Sequence, residues 1–161
     1  RSNNCRSNGM SHWKTQKKQK KYYSGKKKRH TQKAEIRIGE KSKKILQIVY
    51  GKGKEHDFKI HKKKKIKDKN LKIKADKGYQ GIQKIHKNSE IPYKKSKKKA
   101  LDKEQKKYNK TLNSQRVYVE HVIRSLKIFK ILSYPYRNRR KRFGLRLNLI
   151  AGIYNYELNL N

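Results

Sequence analysis

Acidic residues are scarce in this sequence, and the first 34 positions contain none. Eleven Asp and Glu stand against 49 Lys and Arg, which gives a formal net charge of +38. A chain this basic binds polyanions readily, because each phosphate that it neutralises releases bound counterions. The imbalance therefore favours nucleic acid as the partner.

Cysteine and long apolar runs are also nearly absent. The single cysteine, Cys5, excludes an intrachain disulfide and does not make a zinc site by itself. No apolar run approaches the roughly 18 residues of a membrane span, and no signal-peptide core is found near the start. We therefore expect a cytoplasmic protein. The chain begins at Arg1 and not at Met, which indicates a fragment or a processed product.

Apolar residues make up only 32% of the chain, a level that at this charge is typical of disorder. They are concentrated in three stretches, 36–50, 71–93 and 117–156, so we expect one folded domain with charged loops. The lysines have a second explanation, since Lys, Ile, Asn and Tyr all have AT-rich codons. Any single lysine run can therefore be plain solvated surface.

The first half of the sequence predicts a β-hairpin after a segment without structure. Residues 1–21 are basic and without periodicity, so we expect this segment to be disordered or degenerate. From Lys33 to Ile38 apolar and charged residues alternate, which puts Glu35 and Arg37 on the face opposite the apolar side chains. A short turn and an apolar run at 45–50 complete an antiparallel hairpin.

Later segments predict an α/β domain with a mixed sheet. Asp57 is a candidate N-cap for a short helix, a third strand covers 71–75, and a short helix follows at 79–86. An edge strand is expected at 91–93, because its proline cannot donate to a ladder. A long helix then runs from about residue 101 to 131.

Two C-terminal helices carry apolar stripes with the spacing of a buried helix face. In the long helix the stripe consists of Val119, Val122, Ile123, Leu126, Phe129 and Ser133. In a final helix over 143–158 the residues expected to face inward are Leu145, Leu149, Ile150, Ile153 and Tyr154.

Two acids occupy positions that suit metal-assisted phosphodiester chemistry. Asp76 follows the predicted strand at 71–75, and Glu120 lies on the long helix beside Arg116, Arg124 and Lys127. Two divalent ions about 4 Å apart can activate the attacking oxygen and stabilise the leaving one, and hard cations require rigidly held carboxylates. Each acid also has a plain interpretation, because Asp before Gly caps turns and Glu120 fits a helical ion-pair network.

Six segments in order resemble the C-terminal part of a DDE-type insertion-sequence transposase with an RNase H-like catalytic domain. They are YYSGKKKRHT (22–31), EHD (55–57), ADKGYQG (75–81), RVYVEHVI (116–123), YRNRRKRF (136–143) and NLIAGIYNYEL (148–158). The resemblance implies an RNase H-like mixed sheet over residues 22–161 and a Mg²⁺ or Mn²⁺ cofactor. It also implies DNA cleavage and strand transfer, with element ends and target DNA as partners.

The resemblance also assigns residues. Asp76 corresponds to the second acid of the catalytic triad and Glu120 to the third, both as metal ligands. Arg116 and Lys127 take the places of the basic residues in the tyrosine–arginine–glutamate–lysine signature, and Asn113 stands where the signature has tyrosine. We expect DNA contacts from a further set of cations, Arg124, Arg137, Arg139, Arg140 and Arg142.

The largest departure from the family pattern is the first acid, which belongs near Ser7 and has no counterpart. Residues 1–15 also lack an apolar strand to carry it, so we expect the first strand to be missing or degraded. The family's N-terminal DNA-binding region is absent as well. We therefore expect a DNA-binding remnant that is inactive alone. Two alternatives remain, a basic nucleic-acid-binding module without chemistry and an inhibitor that binds DNA or full-length transposase. The protein partners considered are full-length transposase and further copies of this chain.

Overall fold

The computed structural model describes residues 2–11, 19–64, 66–95, 100–135 and 142–160, and it describes side chains from residue 20 onward. The strands are β1 (Ser2–Ser11), β2 (Tyr23–Ser24), β3 (Arg29–Gly39), β4 (Ile45–Lys52), β5 (Lys72–Ala75) and β6 (Ser89–Glu90). The helices are α1 (Asp57–Lys62), α2 (Lys103–Ile128), α3 (Lys130–Ser133) and α4 (Phe143–Leu160).

Strand β1 lies in the middle of the sheet. The order is β2-β3-β1-β5-β6, and β4 also pairs with β3. β1 is antiparallel to β3 and parallel to β5, and β5 is parallel to β6. The expected α/β fold with a mixed sheet is therefore present.

The expectation that the first strand is missing or degraded is wrong. Residues 2–11 form the longest ladder with β3, from Asn3 opposite Gly39 to Ser11 opposite Thr31. A ladder is made by main-chain N–H and C=O groups, so a segment without apolar alternation can still pair when a strand lies on each side. Strand β1 belongs to the same sheet as the strands that follow. The proposed domain boundary at residue 22 stays a prediction.

The hairpin of β3 and β4 divides the domain into two layers, as the alternation predicts. Ala34, Ile36 and Ile38 are fully buried against α2 and α4 in the larger core. Glu35 and Arg37 are buried on the opposite face, towards α1. On that side a smaller core consists of Ile73, Ala75, Tyr79 and Ile82, with Phe58 of α1 packed against it.

Helix α2 begins at a complete capping box. The Asp102 carboxylate accepts from backbone N–H groups of the first turn, while Gln105 reaches back to the Asp102 N–H. The predicted helix through residue 131 is interrupted at Phe129, whose backbone is extended (φ −68°, ψ 111°). The single turn of α3 follows, and it ends before Pro135.

Helix α4 is rotated relative to the prediction. Phe143, Leu147, Ile150 and Ala151 are its buried residues. Of the residues expected to face inward, Ile150 is buried and Tyr154 half-buried, whereas Leu145, Leu149 and Ile153 are exposed. The helix is apolar on most of its circumference, so sequence periodicity could not select the face that meets the sheet.

Three smaller elements differ by a few residues from the prediction. Helix α1 begins at Asp57, but its N-cap is His56. In place of the helix predicted at 79–86 there are two short 3₁₀ turns, Lys77–Tyr79 and Ile82–Lys84. The edge strand lies at Ser89–Glu90 and ends before Pro92. Among the helices of the described ranges, none has the length and apolarity to cross a membrane.

Candidate functional site

Asp76 directly follows strand β5, as predicted, and also caps the 3₁₀ turn after it. Its Oδ1 accepts a hydrogen bond from the Lys77 backbone N–H at 2.7 Å. The plain interpretation of this acid, a turn cap, is therefore correct. The side chain is still 42% exposed, so the cap leaves it within reach of other groups.

Arg116 brings helix α2 to the end of β5. Its Nη1 lies 3.6 Å from Asp76 Oδ1, and its side chain is only 8% exposed. The same Nη1 donates to Asn113 Oδ1 at 3.2 Å. Asn113, the residue where the signature has tyrosine, thus helps to orient the arginine. A guanidinium held in this way keeps a fixed positive charge beside Asp76.

Glu120 follows Arg116 by one helical turn, which sets their Cβ atoms about 5–6 Å apart. The Glu120 side chain is exposed, as are Arg124 and Lys127 further along the helix. Asp76 therefore meets this stripe of α2 through Arg116, one helical turn before Glu120. The group that the structure places next to Asp76 on this stripe is the Arg116 guanidinium.

A second set of cations meets the far end of that stripe. Burial lowers the pKa of Lys27, in the turn between β2 and β3, and the positive charges of Lys127, Arg29, Lys26 and Lys33 lower it further. Repulsion of this kind requires the turn to lie near the C-terminal part of α2. The basic turn is thus part of the same surface as Lys127, a proximity that no local pattern in the sequence indicates.

The turn between β2 and β3 is held by local contacts. Lys28 has a positive φ of 48°, and the Ser24 Oγ accepts from the Lys27 N–H at 3.4 Å. Next to the turn, the rings of Tyr23 and His30 meet edge to face with centroids 5.6 Å apart. Tyr23 and His30 are also paired across β2 and β3, so these contacts join the two ends of the turn.

Lys33 and Asp57 form a neighbouring pair that the sequence did not indicate as a unit. Lys33 Nζ donates to Asp57 Oδ1 at 3.0 Å and to the Glu55 carbonyl at 2.7 Å. The Asp57 carboxylate also lies 3.2 Å from the position that a Cβ at Gly78 would take. A side chain at position 78 would therefore displace the Asp57 carboxylate by a few tenths of an ångström, so Gly78 favours close packing of α1 at this edge.

The register of β1 against β5 indicates which backbone position of β1 comes level with Asp76. Cys5 of β1 pairs with Ala75 of β5, so position 6 comes level with Asp76. That position holds Arg6, and the chain has no Asp or Glu before Glu35. Among the described residues, no group of three His, Cys, Asp or Glu side chains is arranged to hold a metal ion.

Asp76 and Glu120 stay the predicted metal ligands. Asp76 is bonded to the Lys77 backbone N–H and paired with Arg116. Arg116 takes the place of the signature arginine, so this pairing is in keeping with the family pattern.

The expected Arg cluster is mostly outside the described residues. Arg137, Arg139 and Arg140 belong to the segment 136–141, of which nothing is described. Arg142 is described, and it is exposed immediately before α4. The roles of these four residues stay predictions.

The family model for the DDE superfamily endonucleases matches residues 10–155. The chain belongs to this family. The match begins inside β1 and ends within α4, so the DDE endonuclease region includes part of the central strand and the elements that follow it.

Among curated proteins, this DDE family member is similar to the "Probable transposase for insertion sequence element IS702" of Microchaete diplosiphon. The two are 57% identical over 145 residues, which is 89% of this chain and 52% of the relative. The chain thus spans about half the length of the curated relative it matches. No solved structure matches it.

Proposed function

We propose that this chain binds DNA through the basic surface of α2 and the β2–β3 turn, and that it does not cleave DNA by itself. The observation that carries the proposal is the set of exposed cations on these two elements, Lys26, Lys27, Lys28 and Arg29 in and beside the turn and Arg124 and Lys127 on α2. Burial and the positive charge of Lys127 lower the pKa of Lys27, which supports treating the two elements as one surface. A phosphate backbone neutralises such a surface.

Arg124 extends this surface along α2. It is exposed about one helical turn before Lys127, so the two cations project from neighbouring positions on the helix surface. Duplex DNA carries about one charge per 1.7 Å of its axis, so both cations can meet phosphates of one duplex.

We infer the lack of cleavage from the acidic residues that could bind a metal ion. The family's chemistry uses divalent ions, for which this chain offers Asp76 and Glu120 as the candidate ligands. The first acid of the family's triad has no counterpart near Ser7, because the chain contains no Asp or Glu before Glu35. We therefore derive no metal-dependent step for this chain.

Fluorescence anisotropy with a labelled duplex tests the DNA surface. Lys27→Gln and Lys127→Gln should each weaken binding by about eight- to tenfold at 0.1 M salt and reduce the slope of log K against log salt by about 0.9. Lys103→Gln is the matched control, because Lys103 is exposed on the same helix about 36 Å from Lys127.

Equal losses in all three variants would show that charge acts without a defined surface, and they would favour the alternative of a plain basic module. No loss at Lys27 and Lys127 would contradict the proposed site.

A cleavage assay tests the second half of the proposal. We expect no product when the purified chain is incubated with duplex carrying element ends and either Mg²⁺ or Mn²⁺. Metal-dependent nicking that disappears in Asp76→Ala would refute the inactivity.

A further inference from the structure

Helix α4 presents an apolar stripe to solvent. Leu145 is 70% exposed, Leu149 65% and Leu160 69%, and the stripe is completed by Ile153 and Tyr156. At 100° per residue these five side chains fall within about 80° of one another. They extend over 15 residues, or about 22 Å of helix.

The opposite side of α4 packs in the larger core. Phe143, Leu147, Ile150 and Ala151 pack against the sheet and α2. A helix that is apolar on both sides is characteristic of an element that is covered on both sides. The exposed stripe therefore resembles half of an interface more than an ordinary surface.

The charges of α4 indicate what covers this face. The helix contains only Arg146 and Glu157 as charged residues and is neutral overall, in a chain of net charge +38. Two copies of such a chain repel each other over most of their surface. The face of α4 is where that repulsion is weakest and where apolar area is available.

The positions of the two charges favour an antiparallel pair. Arg146 and Glu157 lie about 60° and 80° from Leu149 on the same flank of the stripe. In two antiparallel helices related by a twofold axis, equal flanks face each other. The Arg146 of each copy then lies near Glu157 of the other, while Leu145 approaches Leu160 and Leu149 approaches Tyr156.

We propose that α4 is the interface of a symmetric antiparallel dimer of this chain. The inference does not depend on DNA binding, because none of the residues of the stripe belongs to the α2 and turn surface. The pair buries ten apolar side chains about one axis, and it holds its register through two Arg146–Glu157 ion pairs.

Sedimentation equilibrium in 0.5 M NaCl tests the dimer, since the Debye length there is about 4 Å and general repulsion is screened. The chain should be a dimer at tens of micromolar. Leu149→Gln/Tyr156→Gln should weaken the association at least tenfold without changing the circular dichroism spectrum. Leu46→Gln is the control, because Leu46 is 56% exposed on β4 and should leave the dimer intact.

Charge exchange tests the antiparallel arrangement. Arg146→Glu and Glu157→Arg should each weaken the dimer about three- to tenfold, and the double variant should restore it. A chain that stays monomeric to about 200 µM would overturn the proposal, as would a double variant that is no better than the singles. Flotation with neutral phosphatidylcholine vesicles that Leu149→Gln abolishes would also overturn it and assign the face to lipid.

Discussion

Asp76 Oδ1 accepts a hydrogen bond from the Lys77 N–H and lies 3.6 Å from the Arg116 Nη1. The charge of this carboxylate is therefore balanced without any metal. Arg116 in turn is oriented by Asn113. Asp76 and Arg116 therefore form a part-exposed ion pair at the end of β5.

A single substitution should convert this pair into a cation site. Arg6→Asp puts a carboxylate on β1 level with Asp76 and removes one positive charge, so Mn²⁺ affinity measured by calorimetry should rise at least tenfold. Ser7→Asp is the control, because neighbours along a strand project to opposite faces. Equal gains in both variants, or none in Arg6→Asp, would contradict the register argument.

The buried triad of Glu35, Arg37 and His61 is a second case of paired charges. Arg37 Nε donates to Glu35 Oε1 at 2.6 Å, and the His61 Nδ1 lies 2.9 Å from the same oxygen. Arg37 also donates to Gln47 and to the Lys64 carbonyl. One arginine therefore joins β3, β4 and the end of α1.

Removing Arg37 should destabilise the fold strongly. Arg37→Met leaves Glu35 buried without its cation, and such a loss costs about 3–5 kcal/mol. The free energy of unfolding in urea measures it. Arg124→Met, an exposed change of the same type, should stay within about 0.5 kcal/mol, and a similar loss in both variants would refute the argument.

Among the elements, α4 depends on a side-chain contact with the edge of the sheet. Asn155 Oδ1 accepts from the Ile45 N–H at 2.8 Å, and Asn155 Nδ2 donates to the Ile45 carbonyl at 2.9 Å. The amide thus satisfies both main-chain groups at the start of β4, 110 positions away in sequence.

Asn155→Ala should therefore cost about 1–3 kcal/mol, since it leaves two part-buried main-chain groups unpaired. Urea unfolding monitored by circular dichroism measures the change. Asn148→Ala removes only an exposed acceptor for the Tyr50 hydroxyl and should cost less than about 1 kcal/mol. An Asn155→Ala variant as stable as Asn148→Ala would contradict this account.

The sequence predicted the elements whose periodicity is clear and missed the others. The alternation from Lys33 to Ile38 predicted the two faces of β3, and the spacing from Val119 to Leu126 predicted the buried side of α2. Helix α4 is apolar nearly all round, so the sequence predicted its existence but not its orientation. Strand β1 has no pattern at all, and only its pairing on both sides makes it a strand.

The candidate site shows the same division. Asp76 at a strand end and Arg116 with Glu120 on one helix stripe follow from local spacing. The ion pair between Asp76 and Arg116, and the approach of Lys27 to Lys127, join segments 40 and 100 positions apart. Such contacts are decided by tertiary packing, which the spacing of residues along the chain does not encode.

For the whole molecule, net charge is the property that most affects stability. A formal charge of +38 destabilises the compact state through self-repulsion, and added salt screens it. The thermal midpoint should rise by roughly 4 °C between 20 and 300 mM NaCl, equivalent to about 1–2 kcal/mol for a chain of this size. Scanning calorimetry measures it, with sucrose at equal osmolality as control, and a flat or falling midpoint would contradict the expectation.

The central place of β1 has an evolutionary consequence. A strand joined to both neighbours by its main chain keeps its pairing when its side chains change. We therefore expect selection on the fold to constrain the side chains of β1 less than those of β3, where Ala34, Glu35, Ile36 and Arg37 are all buried.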